Sequence, residues 1–248
     1  MVPSALSRYH STTRLSITSV LITAVVVTGC TPRATQQSRS PEAPRAAPAA
    51  HERVLAGSLR GRTGAYLIVP DAASRVEVRL ATLPGLLYRI STPADSGLAP
   101  RVTGGPGRVR LGLRPTGDDG PDTVTILLNR AVRWDIRLPA GAGEQRLDLA
   151  SGTVARVDLG ASGLIDVRLP PPDGTVPVSL VGGIGAATVS GPGPMRVVLR
   201  EGAGAVSTPW RSTNGSPAGA VLAAPGWSAA TDRYTVDVRA GVGTLTVR

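Results

Sequence analysis

The sequence has no lysine and no phenylalanine, and its one cysteine is Cys30. Its two histidines, His10 and His51, both precede the region of regular strand patterning. Each absence excludes something. A single cysteine excludes an intrachain disulfide. With no His, Lys or Cys after residue 51, the body cannot build a Ser-His or Cys-His nucleophile pair or a Schiff base. Nor can it build a zinc or copper site of the usual ligand sets. Carboxylate acid–base chemistry remains. Its candidates, Glu77, Glu144, Glu201 and the aspartates, are scattered over strand-like and turn-like segments. No spacing brings two of them together, so the reading is a non-enzyme without cofactor or metal. Aromatics make up only 3% of the chain. Val, Ile, Leu and Ala must therefore fill the core, which alternating strands do more easily than a globular α/β core.

What is present is arginine, glycine and proline. All 27 cationic side chains are Arg, against 17 acids, for a net charge of +10; there are 30 Gly and 22 Pro. The excess of Arg reads either as solubility or as attraction to an anionic surface such as lipid headgroups or wall polymer. Nucleic acid is not an expected partner, because the N-terminus directs the chain out of the cytoplasm.

Residues 1–14 are polar and carry Arg8 and Arg14 with no acid; Leu15 to Thr28 is apolar or small; Gly29 and Cys30 follow. This is the layout of an export signal, and its apolar run is shorter than the roughly 20 residues of a spanning helix. Val27-Thr28-Gly29-Cys30 resembles a bacterial lipobox, with Gly29 before the cleavage point and Cys30 as the acyl acceptor. A thiol is the softest nucleophile the chain offers for alkylation, and several acyl chains at about 0.8 kcal/mol per buried CH₂ anchor a protein stably. The expected placement is the outer face of the cell membrane, through acylated Cys30. Residues 30–53 form a Pro/Ala/Arg-rich tether. Arg33, Arg39, Arg45 and Arg53 either follow a headgroup layer or are simply solvated.

From Val54 the pattern changes to period two. Val109, Leu111 and Leu113 alternate with Arg108, Arg110 and Arg114. Val132, Trp134, Ile136 and Leu138 alternate with Arg133, Asp135 and Arg137. No long segment shows a helical period with caps. A phrase of apolar, polar, apolar and a glycine-rich corner then recurs as Leu147-Asp148-Leu149, Val157-Asp158-Leu159, Ile165-Asp166-Val167, Val178-Ser179-Leu180, Ala187-Thr188-Val189 and, less strictly, Val197-Val198-Leu199. Every second phrase marks a step of about 20 residues, the size of one rung of a β-solenoid. The fold class is all-β: a solenoid of short strands. Residues 54–128 form an N-terminal β region continuous with a solenoid over 129–248.

Three features compete as sites. Asp118, Asp119 and Asp122 do not follow the Asp-x-Asp-x-Asp-Gly calcium ladder and read as a solvated turn. Asp148, Asp158, Asp166 and Asp237 point away from the core, where Arg137, Arg156, Arg168 and Arg239 can pair with them; a face of weak ion pairs is the main reading, a metal or polysaccharide stripe the other. Gly-x-Gly recurs six times, none before a helix, which argues for arcs needing φ > 0 rather than for nucleotide binding. Residues 207–231 break the repeat and carry Trp210 and Trp227 among small residues. They read as a long loop or an irregular rung and as the candidate binding site.

The repeating half resembles the putative-adhesin and "toast-rack" β-solenoid domains of bacterial envelope proteins, including those of the response to cell-wall-active antibiotics. The resemblance is carried by Trp134 to Leu138, Leu147 to Leu149, Val157 to Gly160, Gly163 to Pro170 and Gly241 to Val247, and covers 129–248. It implies an envelope-exposed β-helix without catalytic residues; composition is closest to actinobacterial lipoproteins. Three functions follow as expectations: a lipid-anchored adhesin or scaffold binding an envelope protein or polymer, a regulatory accessory to a membrane signalling protein in envelope-stress sensing, and, least supported, a carbohydrate-active enzyme.

Overall fold

A computed structural model describes residues 52–248. The described residues form nineteen strands and no helix, in two sheets packed on one apolar core. β1 (Arg53–Ser58) lies at an edge of sheet A. The chain crosses to sheet B as β2 (Gly64–Ile68) and returns to sheet A as β3 (Ala73–Ala81). Such a pair is one rung. β4 (Leu86–Thr92) and β5 (Leu98–Thr103) are cap strands, one in each sheet. β6 (Arg108–Pro115) and β7 (Thr123–Asn129) form a rung. Three regular rungs follow: β8 (Arg133–Leu138) with β9 (Ala142–Asp148), β10 (Thr153–Leu159) with β11 (Ser162–Arg168), and β12 (Thr175–Leu180) with β13 (Ile184–Ser190). Then come β14 (Met195–Leu199) and β15 (Ala203–Thr208), the caps β16 (Arg211–Ser216) and β17 (Val221–Ala223), and a last rung, β18 (Arg233–Val238) and β19 (Val242–Val247).

The rungs pair in parallel, and their order in space departs from chain order. Sheet B reads β6-β2-β8-β10-β12-β18-β14, and sheet A reads β7-β3-β9-β11-β13-β19-β15. The first rung therefore lies inside the second, and the last rung is inserted between β12–β13 and β14–β15. Both outer rungs are covered by antiparallel strands: β4 and β5 at one end, β16 and β17 at the other. Covering the outer parallel strands limits the open hydrogen-bonding edges to β1 and the cap strands β5, β16 and β17. Arg133 pairs with Thr153 and Ala142 with Ser162, a step of 20 residues. Val157 pairs with Val178 and Ser162 with Ile184, steps of 21 and 22. The rung read from the sequence is thus the rung of the stack, and successive phrases alternate between the two sheets.

Period two decides what goes inside. Val157 and Leu159 on sheet B and Ile165 and Val167 on sheet A are all 0% exposed, while Asp158 and Asp166 between them point out. Each buried side chain contributes about 1.5–3 kcal/mol. Trp134 is fully buried and donates its indole N–H to Asn129 O at 3.0 Å. It is a core residue of an interior rung, not a cap.

The glycines divide into two kinds. Gly141 has φ 78° and supplies a left-handed corner. Gly143, Gly163, Gly185, Gly243 and Gly204 do not have positive φ. They line up on neighbouring strands of sheet A, and a Cβ on Gly163, Gly185, Gly243 or Gly204 would come 2.5–3.0 Å from the preceding glycine's carbonyl oxygen. Four of the six Gly-x-Gly pairs contribute their second glycine to this ladder. The expectation that corners need φ > 0 holds for Gly141 and not for these residues, whose constraint is close approach of backbones.

Candidate functional site: an arginine-lined cleft beside Trp227

Residues 207–231 are in part an irregular rung: β16 pairs with β15 and β17 with β14 as a cap over one end of the stack, while 224–232 carries no strand. Trp210 and Trp227 sit in its connections with different roles. Trp210 is half-buried against the core, and its indole nitrogen is buried without a hydrogen-bond partner among the described residues. Trp227 is also half-buried, but both its ring and its N–H are engaged. The N–H donates to Tyr234 O at 2.8 Å. Arg233 lies 4.4 Å and Arg196 5.1 Å from the ring centroid, close enough for cation–π attraction. Arg233 also donates to Trp227 O and Ser228 O, both at 3.1 Å. The indole and the two guanidiniums thus form one fixed group at the start of β18.

Next to that group the outer face of sheet B holds a shallow cleft of about 460 Å³. Arg156, Arg196, Arg200 and Arg239 line it, with Thr235 and Asp237. Asp237 accepts from Arg200 at 2.8 Å and from Arg239 at 3.1 Å. Burial acts to raise the Asp237 carboxyl, but the hydrogen bonds from Arg200 and Arg239 outweigh it and hold the group below the usual carboxylate range. A carboxylate so held is a weak proton acceptor. It fixes two guanidiniums in place and leaves their remaining N–H groups for a ligand. Arg196 makes no ion pair among the described residues.

The acidic and basic stripes expected from the sequence are divided between the faces. Asp158 and Asp237 lie on sheet B; Asp148 and Asp166 lie on sheet A. Asp158 accepts from Arg156 at 2.7 Å and has Arg137 at 3.6 Å. Asp148, Asp166 and Arg168 make no ion pair among the described residues. On sheet A, Glu144 joins Arg75 and Arg146 instead. Burial pushes its carboxyl up, and the two hydrogen bonds bring it below the usual range. Asp118 and Asp119 are exposed, and Asp118 accepts from Arg53 at 2.7 Å. No group of three or more metal-ligating acids, His or Cys occurs among the described residues. Gly29 and Cys30 lie outside the described residues. Arg196 and Arg200 are the functional candidates that sequence reasoning missed: the phrase around Val197-Val198-Leu199 was read for its core residues alone.

The fold and the cleft define a class: a β-solenoid with two outer faces and a ligand-sized, arginine-lined depression on one of them. The chain is similar in fold to a putative cell adhesion protein from Clostridium sporogenes, with a TM-score of 0.61 and 18% identity over 79% of this chain and 98% of that one. A putative adhesin from Bacteroides fragilis aligns over 81% of this chain and 99% of that one at 11% identity, with a TM-score of 0.25. At that score the two folds do not superpose as wholes. No family model matches the chain, and no curated protein matches it significantly.

Proposed function

We propose that this protein is a lipid-anchored, extracytoplasmic surface protein that binds an envelope partner or polymer as an adhesin or scaffold, without catalysing a reaction. The binding role rests on one observation: the cleft beside Trp227 is lined by guanidiniums held rigidly by Asp237 and the indole ring. Such a set can grip an anion and contains no group poised to accept a proton. Every ionisable group in the cleft is an arginine except Asp237, which is tied to two of them. The similarity in fold to a protein described as a cell adhesion protein agrees with this role. The anchor rests on Val27-Thr28-Gly29-Cys30, with membrane lipid as the partner of acylated Cys30.

Two variants of the full chain test the reading separately. Cys30→Ala should move the protein from the membrane fraction to the medium and abolish acyl labelling. A variant that stays membrane-bound ends the lipoprotein reading. Trp227→Ala should stay anchored but lose retention on isolated envelope material, since Arg196 and Arg233 lose the ring that fixes them. Unchanged retention would remove the cleft from the binding role.

A further inference from the structure

The described residues carry 22 arginines against 16 acids, and that excess is unevenly placed on the stack. The seven parallel strands of sheet A carry four arginines (Arg75, Arg79, Arg146, Arg168) and four carboxylates (Glu77, Glu144, Asp148, Asp166). That face is balanced. The seven parallel strands of sheet B carry eight arginines against three aspartates. β6 alone supplies Arg108, Arg110 and Arg114, all exposed. β8 and β10 add Arg133, Arg137 and Arg156, and β18 and β14 add Arg233 and Arg196.

The register arranges these side chains in rows that run along the stack. One row passes from Arg108 through Tyr66 and Asp135 to Arg156, and resumes at Pro177, Thr235 and Arg196. The next passes from Arg110 through Ile68, Arg137, Asp158 and Ser179 to Asp237. Neighbouring strands are about 4.8 Å apart, so seven of them span roughly 29 Å. The aspartates in the rows brace guanidiniums: Asp135 accepts from Arg137 at 2.9 Å, Asp158 from Arg156, Asp237 from Arg200 and Arg239. The β6 arginines and Arg196 make no ion pair among the described residues. One end of the face has the cleft at Trp227.

We propose that the outer face of sheet B is a docking track for a linear polyanion with one phosphodiester per repeat, lying along the stack axis across the rows of arginine. The planar guanidinium fork matches the paired oxygens of a phosphodiester, and arginines recurring along the stack, at Arg108, Arg156 and Arg196 in one row and Arg110 and Arg137 in the next, offer a linear polyanion several such contacts. A lipid bilayer fits less well. Peripheral membrane faces add several large apolar side chains to their cations, and among the strands of sheet B Val221, at the cleft, is the single exposed large hydrophobic in the described residues. Choosing an envelope polymer over nucleic acid rests on the extracytoplasmic placement proposed above.

The test is calorimetric titration of the full chain in neutral detergent with a synthetic glycerol phosphate oligomer, at low and at physiological salt. Binding should weaken steeply as salt rises. Arg156→Gln combined with Arg196→Gln should weaken it about tenfold or more, while Arg75→Gln combined with Arg146→Gln on sheet A should leave it unchanged. All four positions are solvent-facing, and thermal melting checks that each variant is folded. Equal losses from the two double variants overturn the proposal, as does no binding at low salt. Binding to phosphatidylglycerol vesicles but not to the oligomer would assign the face to a membrane. Tighter binding to duplex DNA would assign it to nucleic acid. Failure of the Cys30 experiment would leave the titration untouched, so the two readings fail separately.

Discussion

Gly183 and Gly185 belong to one Gly-x-Gly pair, yet alanine should act on them in opposite directions. At Gly183 an added Cβ meets nothing within 4 Å, and the residue is not in the left-handed region. The substitution there removes freedom from the unfolded chain and should stabilise by about 0.4–1 kcal/mol. At Gly185 the same Cβ lies 2.6 Å from Gly163 O, a backbone atom with a strand on either side. An ordinary contact needs at least 3.4 Å, so the rungs must part by most of an ångström. That movement weakens the ladder bonds between β11 and β13. Overpacking of this kind costs about 1–3 kcal/mol and outweighs the entropic gain. With about 2–4 °C per kcal/mol for a domain of this size, Gly185→Ala should lower Tm by about 2–12 °C. Gly183→Ala should raise it by about 1–4 °C. Circular dichroism melting of the two variants beside the parent decides the matter. A rise in Tm for Gly185→Ala would refute the close-approach account, and a fall for both would show that this corner tolerates no side chain for another reason.

Further outcomes follow from the core, the ion pairs and the strand order. Trp134→Ala should cost about 3–5 kcal/mol by chemical denaturation, because it empties a fully buried site in an interior rung and removes one of the two hydrogen bonds that Asn129 O accepts. The carboxyls of Asp237 and Glu144 sit below their ordinary range when folded, so the unfolded chain binds protons more readily. Their stabilisation is therefore complete above the unfolded carboxylate pKa near 4 and is lost as pH falls below it. Tm at pH 7 and pH 3 should differ less for Asp237→Asn than for the parent. The same variant loosens the Arg200 and Arg239 guanidiniums that Asp237 fixes and should bind the glycerol phosphate oligomer more weakly in the titration. Deleting β18 and β19 should lower Tm and reduce the denaturant m-value, since β14 to β17 lose the rung that joins them to the stack.

Much of the architecture is readable from local alternation, because a buried Leu or Val on each side of an outward Asp specifies a strand and a face. Trp134 to Leu138 shows this most clearly. The order of rungs is not readable that way. Tyr234 to Val238 carries the same signature as Val154 to Leu159, and nothing within either phrase says which neighbour it pairs with. β16 was hidden for another reason: Arg211 to Ser216 is a row of small polar residues with no period, and it is a strand only because β15 offers an edge. The second glycines of the Gly-x-Gly pairs are equally opaque, since their constraint is a carbonyl oxygen some 20 residues or more away in sequence. The cleft could be read only in part. Asp237 and Arg239 stand out in the sequence, whereas the Arg200 and Arg196 that complete it lie more than 35 residues earlier and meet them through the inserted rung.

That inserted rung bears on when the binding surface comes into being. β14 and its caps precede β18 in the chain, yet they reach the rest of the stack only through β18 and β19. A chain threaded outward from its N-terminus can lay down β2 to β13 in sequence and then must leave a vacant slot one rung wide. Arg196 and Arg200 stand on the far side of that slot, and Arg156 on the near side. They come to flank Asp237 only when the last strands slide in, like a keystone set after both halves of an arch. A partly exported or shortened chain would hold nearly all of the stack's residues and still lack the cleft.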